Sequence, residues 1–422
     1  MFIKRNNGVN AYIEKLLLFI IWPFGSWLYS LKNANSKSSY MIYVLFGMLV
    51  CWSMYYDNER AYLDYIHYAQ GFYMQEHVSF NEMIEHVKDI LAGESYEKDI
   101  YRYIMVWLSQ TISDNFHVMF VLASIPFMYF MLKCVRLITN DKEAFRNTFI
   151  CLSLLFLFIY HRDIIRVQNF RFATATWVFV YSLLMTYYKS KKYILLSLLT
   201  PLIHASFIII CVVFVIYELL LTRFHFALKS FFIITIPFAF FASDFLSQIN
   251  LSLSFLPQNL ASWVETYTSD EMSKKWGTNN IFSGSGFYFV SIFFFLLQRI
   301  CTIIVPLLIF KVEKKVFFKE PEKTLLYGYV LLFAITNIFQ SFPVLGSRFW
   351  SVNAILTSFM LIKYLYKYNI YRNFIYIYMF SFVQNIFQYY IPKLYLTLLP
   401  IDFYFNNAIS LILKHIGITN YM

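Results

Sequence analysis

The segment "YHRDIIRVQNFRFATATWVFVYSLL", Tyr160 to Leu184, sets Arg162, Arg166 and Arg171 at the mouth of an apolar run long enough to cross a bilayer. A charge at bilayer depth costs about 2.5–3.5 kcal/mol on insertion scales, which makes intramembrane ionisable residues functional candidates. Guanidinium groups stay charged at any physiological pH and pair bidentately with phosphate oxygens. On one helix Arg162 and Arg166 would lie a turn apart and share a face, while Arg171 points elsewhere unless the helix breaks. A cluster converging from two directions fits a diphosphate. The competing reading has the arginines snorkel to headgroups or pair with Asp163 and an acidic loop.

Arg348, in "LGSRFW", opens another apolar run from the same side with few acidic neighbours, and suits either ligand binding or interfacial snorkelling. His204, in "TPLIHASF", follows a proline at the turn of a short apolar hairpin. A neutral imidazole there accepts or donates a proton near neutral pH, unless it is a hydrogen-bonded structural histidine. Glu97 and Asp64 are the other outward candidates for a catalytic base. The sequence has no Asp-x-Asp metal signature and its five cysteines are isolated, so neither a metal site, a cofactor nor a disulfide framework is expected.

These residues need elements to hold them. Of 422 residues, 59% are hydrophobic and only 14% charged, with mean hydropathy +0.55, against an apolar share of about 45–50% in soluble proteins. The composition predicts an all-α, polytopic helical membrane protein, since helices satisfy their own backbone polar groups in lipid. Apolar runs place spans near residues 12–31, 40–56, 115–133, 147–161, 170–188, 193–203, 206–221, 227–243, 286–310, 324–342, 348–366, 372–391 and 394–413, about 11–13 helices. The pair 193–203 and 206–221 is short and interrupted by Pro201, and could be one bent span. The first segment lacks a small-residue cleavage site and reads as a retained span rather than a signal peptide.

Lysines and arginines concentrate in alternate connections, at Lys32 and Lys37, Lys133 to Arg146, Lys189 to Lys192, Lys311 to Lys323 and Lys363 to Arg372. That side is expected to be cytoplasmic, although Lys4 and Arg5 then face outward. Between Asp57 and Arg102, ten acidic side chains face four basic ones in a chain whose net charge is +11. The basic surplus therefore reflects topology, and no nucleic-acid motif accompanies it. The chain reads as a single integral membrane domain, 1–422, with outward loops at 57–114 and 244–285. In the first loop "NEMIEHVKDILAG" has helical apolar spacing and predicts an amphipathic surface helix. The second mixes Trp263, Tyr267 and Trp276 with polar residues, suited to the headgroup interface or to a sugar.

"NFRFATATWVFVYSLLMTYYKSKKYILLSLLTPLIHASF" resembles the signature of Wzy-type polysaccharide polymerases, in particular the EpsG-like branch. It has an arginine opening a span, Ala173 soon after, a basic turn about 18 residues on, and an apolar run closed by Pro-Leu-Ile-His. "ERAYLDYIHYAQGF", with Asp64, Tyr65 and Tyr68, is similar to the family's pattern after the second span. "SYEKDIYRYIMVWLSQTISDNFHVMF", with Tyr96 and Glu97, and the late "SRFW" also look alike. The Arg-Tyr and Gly-Thr that usually precede the aspartate are absent, and the family's Arg-Gln pair fits either Arg171 or Arg166 with Gln168.

The resemblance implies a GT-C-like glycosyltransferase of the bacterial inner membrane, its active site facing the periplasm and its two loops periplasmic. It would transfer a growing glycan from undecaprenyl diphosphate onto a new undecaprenyl-diphosphate-linked repeat unit. Arg162, Arg166, Arg171 and Arg348 would bind the substrate diphosphate, and His204, Glu97 and Asp64 would supply the base. Partners would be undecaprenyl-diphosphate-linked oligosaccharides, membrane lipids and a chain-length regulator. Competing classes are a lipid-linked oligosaccharide flippase or transporter, an O-antigen ligase, and a non-catalytic scaffold. A transporter often shows repeated halves, and no internal repeat is evident here.

Overall fold

The computed structural model of the chain describes residues 9–31, 33–54, 64–92, 94–95, 100–146, 148–240, 288–340, 342–388, 391 and 399–416. Among these residues the secondary structure is entirely helical. In chain order the helices are α1 (Val9–Ile21), α2 (Pro23–Leu31), α3 (Lys37–Trp52), α4 (Asp64–Met74), α5 (Phe80–Ala92), α6 (Ile100–Gln110), α7 (His117–Asn140), α8 (Phe149–Tyr160) and α9 (Phe170–Tyr188). Then follow α10 (Ile194–Ser197), α11 (Thr200–Ile203), α12 (Phe207–Ile216), α13 (His225–Thr235), α14 (Tyr288–Glu313), α15 (Glu320–Phe339), α16 (Pro343–Met360), α17 (Arg372–Phe380) and α18 (Ala408–Ile416).

Two helices, His117–Asn140 and Phe289–Glu313, are long and apolar enough to cross a bilayer by length and composition. Lys37–Trp52, Phe207–Leu221 and His225–Phe240 are shorter and apolar. The apolar runs at 170–188 and 147–161, expected as spans, are helical, as α9 and α8. The first span is divided at Trp22, because Pro23 cannot donate a helical hydrogen bond and starts α2 afresh. The hairpin at 193–221 is equally broken: α10 and α11 are one turn each, and α12 runs on into a π-helical turn over Tyr217–Leu221. The second outward loop, 244–285, lies outside the described residues.

Helix α9 is the axis of the core. Nearly all its side chains from Phe172 to Thr186 are buried, with Ala173, Thr174, Ala175 and Thr176 giving a small-residue face that lets neighbours approach closely. It packs on α7, on the short α10 and α11, and on α15, while α15 in turn packs on α13 and α16. The α3–α7 contact has the same logic. A Cβ on Gly47 would stand 2.7 Å from Met128 Cγ, so the small residue sets that spacing.

The two ends of the bundle differ chemically. At one end Lys363 bonds Asp141 at 2.6 Å, Lys367 pairs with Glu143 at 3.2 Å and Glu322 at 3.5 Å, and Tyr188 donates to Asp141. These residues come from the α7–α8 connection, the end of α9, the start of α15, and the π-helical turn Leu361–Tyr366 and the residue after it, which follow α16, and they tie these helix ends together. The other end of α9 carries the arginines.

In the first acidic loop α5 forms where the apolar spacing predicts it, opened by a capping box. Ser79 N–H donates to Glu82 Oε2 at 2.7 Å and Glu82 N–H to Ser79 Oγ at 3.4 Å. Met83 is buried and His86 packs on Tyr103 with ring centroids 4.3 Å apart.

Candidate functional site

The chain leaves the helical path between Tyr160 and Phe170. Asp163 is extended, Ile164–Asn169 is a 3-10 turn, and α9 restarts at Phe170. Asp and Asn compete with helical backbone bonding through their own side chains, which favours a break at these two positions. The break corrects one expectation: Arg162 and Arg166 do not share a face of one helix, since Arg162 precedes the 3-10 turn and Arg166 lies within it. It also supplies the second direction from which Arg171, on the first turn of α9, can approach.

Phe172 is the hub, 1% exposed. The Arg162 guanidinium lies 4.4 Å and the Arg348 guanidinium 5.7 Å from its ring centroid. The His204 ring meets it edge-on with centroids 5.4 Å apart. Arg162 and Arg348, 186 positions apart in sequence, are also linked by hydrogen bonds: Arg162 Nη2 donates to Ser351 Oγ at 2.8 Å, and Ser351 Oγ donates to the Arg348 carbonyl at 2.7 Å. Trp177 Nε1 donates to the Arg162 carbonyl at 2.8 Å and pins the turn to α9. A guanidinium over an aromatic face is attracted by the ring quadrupole and held in a defined orientation.

Arg171 is held by α4. Its Nε donates to the Tyr68 hydroxyl at 2.8 Å, and its guanidinium lies 5.1 Å from the Tyr68 ring, which Arg102 approaches at 6.0 Å. The Tyr68 hydroxyl reaches Asn169 Oδ1 at 3.5 Å. Asn169 makes no side-chain cap bond to α9, whose first turn also has no acidic residue. A helix start in that state presents N–H groups and a positive dipole end to an anion.

His204 ends α11 in an extended conformation and is 3% exposed. Its Nδ1 accepts from the Ser206 backbone N–H at 3.2 Å, with Ser206 Oγ at 2.9 Å. Because Nδ1 accepts a backbone N–H, the neutral ring carries its proton on Nε2, which makes that atom a donor. Burial, and then the Arg348, Arg171 and Arg162 guanidiniums, hold His204 well below the ordinary histidine value. Four residues singled out from sequence, Arg162, Arg171, Arg348 and His204, are thus brought within electrostatic reach of one another.

The remaining candidates are placed differently. Arg166 acts on Tyr160 and His161 rather than on His204. Asp64 begins α4, with its side chain outside the described residues, as is Glu97. Among the described residues no three His, Cys, Asp or Glu side chains gather as a metal ion would require.

Sequence reasoning missed Phe172, Ser351, Asn169 and Arg299. Arg299, inside α14, donates to the Ala239 carbonyl at 2.7 Å and to Gln340, and Gln340 Nε2 donates to the Gly346 carbonyl at 2.9 Å. It braces the turn that delivers Arg348. The available signal was an arginine near the middle of an apolar run, the same criterion that flagged the others. No protein-family model, curated protein or solved structure matches the chain.

Proposed function

We propose that this chain is a multi-pass inner-membrane glycosyltransferase that polymerises lipid-linked oligosaccharide repeat units on the periplasmic side. The observation that carries the reading is the gathering of Arg162, Arg348 and His204 on Phe172, with Arg171 acting on the same histidine. Three fixed cations beside an uncapped helix start form an environment for a strongly anionic, phosphoryl-bearing group.

The membrane setting has its own support. Large apolar side chains are exposed along many helices, among them Phe226 and Phe289 at 84% and Phe149 at 76%, and a lipid surround would cover them. Placing the lysine-rich end of the bundle in the cytoplasm leaves the start of α9, and the arginines, facing the periplasm.

In the proposed reaction the acceptor hydroxyl oxygen attacks the anomeric carbon of the donor glycan. The bond from that carbon to the diphosphate oxygen breaks, and the hydroxyl proton passes to a base. Negative charge grows on the departing lipid diphosphate, and preorganised guanidiniums stabilise the transition state more than the ground state. Arg162 and Arg348, stacked and cross-linked through Ser351, are prepaid in orientation. His204 donates from Nε2 as it stands; service as the base requires the ring to exchange tautomers, and Glu97 and Asp64 are the alternatives.

The test is reconstitution. Purified protein in bilayer nanodiscs, supplied with undecaprenyl-diphosphate-linked repeat units, is expected to release undecaprenyl diphosphate and build a ladder of multimers. Translocation of the lipid-linked unit in sealed vesicles without any ladder would replace this reading with a flippase.

A further inference from the structure

A second pair of buried side-chain nitrogens lies in the same segment and is not used by the Phe172 cluster. His161 follows the last residue of α8 and is 9% exposed, its ring set edge-on to Tyr160 and Phe382 with centroids 5.3 Å away in each case. Its Nε2 is buried and meets no hydrogen-bond partner among the described residues, and the same holds for Nε of Arg166. Leaving a buried polar group unsatisfied costs its desolvation, and more when the group is charged. Two such nitrogens within the one segment that joins α8 to α9 are a persistent cost that a bound hydrogen-bonding group would remove.

The arginines accordingly divide. Arg166, followed by Arg162, acts on the His161 ring, whereas Arg348, Arg171 and Arg162 act on His204. Arg162 is common to both sets, and Arg166 and Arg348 each belong to one. Asp163, 4% exposed, supplies the only carboxylate between Tyr160 and Arg171, against three guanidiniums. The net charge of the turn is positive with it included.

We propose that His161 and Arg166 form a second anion subsite, for a phosphoryl group, adjoining the Phe172 cluster and sharing Arg162 with it. The role assigned to it rests on the polymerase reading. A polymerase of this kind must hold two lipid diphosphates at once, the one that leaves with the donor lipid and the one that stays on the acceptor. The Phe172 cluster, next to His204, serves the leaving group. His161 and Arg166 serve the retained diphosphate, whose charge does not change during the reaction. An imidazole and the Arg166 guanidinium, with Arg162 shared, suit a group that needs binding and no further stabilisation.

The experiment is a titration of the full-length protein in phosphatidylcholine nanodiscs with inorganic pyrophosphate, followed calorimetrically. Two pyrophosphates per chain are expected. Arg166→Gln, and His161→Phe where it folds, should each remove or weaken one of them at least 10-fold and keep the other, while Arg348→Gln should do the reverse. A single site, or two intact sites in Arg166→Gln, would overturn the proposal. Repeating the titration with a short prenyl diphosphate, and separately in discs containing phosphatidylglycerol, distinguishes the source of the phosphoryl group. Competition at the Arg166-dependent site by prenyl diphosphate supports the acceptor role; competition by phosphatidylglycerol alone would make it a headgroup site and overturn that role. Absence of polymer from the wild-type protein together with two pyrophosphates in this pattern would sink the polymerase reading and leave the subsite standing.

Discussion

Phe172 offers a single ring to two guanidiniums and an imidazole, so its removal should disorder all three without deleting any charge. Phe172→Leu is expected to lower polymer formation about 10-fold or more, on a cation–π contribution of about 0.5–2 kcal/mol for each arginine, with Phe172→Tyr largely retaining activity; equal ladders from the Leu variant and wild type would show that the platform is dispensable. Tyr68 plays the matching part for Arg171. A hydrogen bond to a charged group contributes about 1.5–3 kcal/mol, so Tyr68→Phe should slow turnover about 10–100-fold, and Arg171→Lys should rescue poorly because an ammonium lacks the planar fork. His204 adds a dependence on pH. Its folded-state value is depressed, so between that value and the ordinary one the unfolded chain binds more protons than the folded one, and stability falls as pH drops below about 6.5. Thermal midpoints in nanodiscs should therefore decline from pH 7 toward pH 5 in the wild type and less steeply in His204→Gln.

At the scale of elements, the turn between α15 and α16 determines where Arg348 lies. A Cβ on Gly346 would stand 2.6 Å from the Phe339 carbonyl oxygen and 2.8 Å from Gln340 Cα, both backbone atoms that cannot give way. Gly346→Ala should cost about 1–3 kcal/mol by overpacking and shift the turn that Gln340 and Arg299 brace. The expected signature is a lowered thermal midpoint together with lost polymer length; unchanged values for both would mean the turn has slack. Helix boundaries near the site were legible because polar residues punctuate them. Gln168 and Asn169 precede α9, Lys189 follows it, and the observed Phe170–Tyr188 coincides with the expected span. The elements at 193–221 were less so: Pro201 signals an interruption, but the one-turn helices and the π-turn at Tyr217–Leu221 depend on what α9 and α15 leave room for.

For the whole molecule, charge distribution fixes the expected orientation, and the side chains needed to test it are exposed. The five cysteines are all free and buried, so they give little background in thiol labelling. Lys88→Cys on α5 should react with a membrane-impermeant maleimide in cells whose outer barrier alone has been opened, and Lys315→Cys, between α14 and α15, only after the inner membrane is breached. The opposite pattern would place the arginine cluster in the cytoplasm and remove the polymerase reading with it.

Composition and periodicity by themselves determined that the chain is helical and apolar, where α8 and α9 lie, and which arginines and which histidine are costly enough to require a reason. Those properties are local: a run of apolar residues and the charge of a guanidinium within it are fixed within a few residues of sequence, whereas the break between Asp163 and Asn169 is seen only in the folded chain. Tertiary structure alone decided that Arg348 comes to Arg162 across 186 positions, that both guanidiniums lie over the Phe172 ring, and that Tyr68 of α4 reaches both Arg171 and Asn169 at the start of α9. It also set Arg166 to act on His161 and not on His204. Such contacts depend on the packing of helices distant in the chain, where hydrophobic pattern specifies which face is buried but not which neighbour it meets.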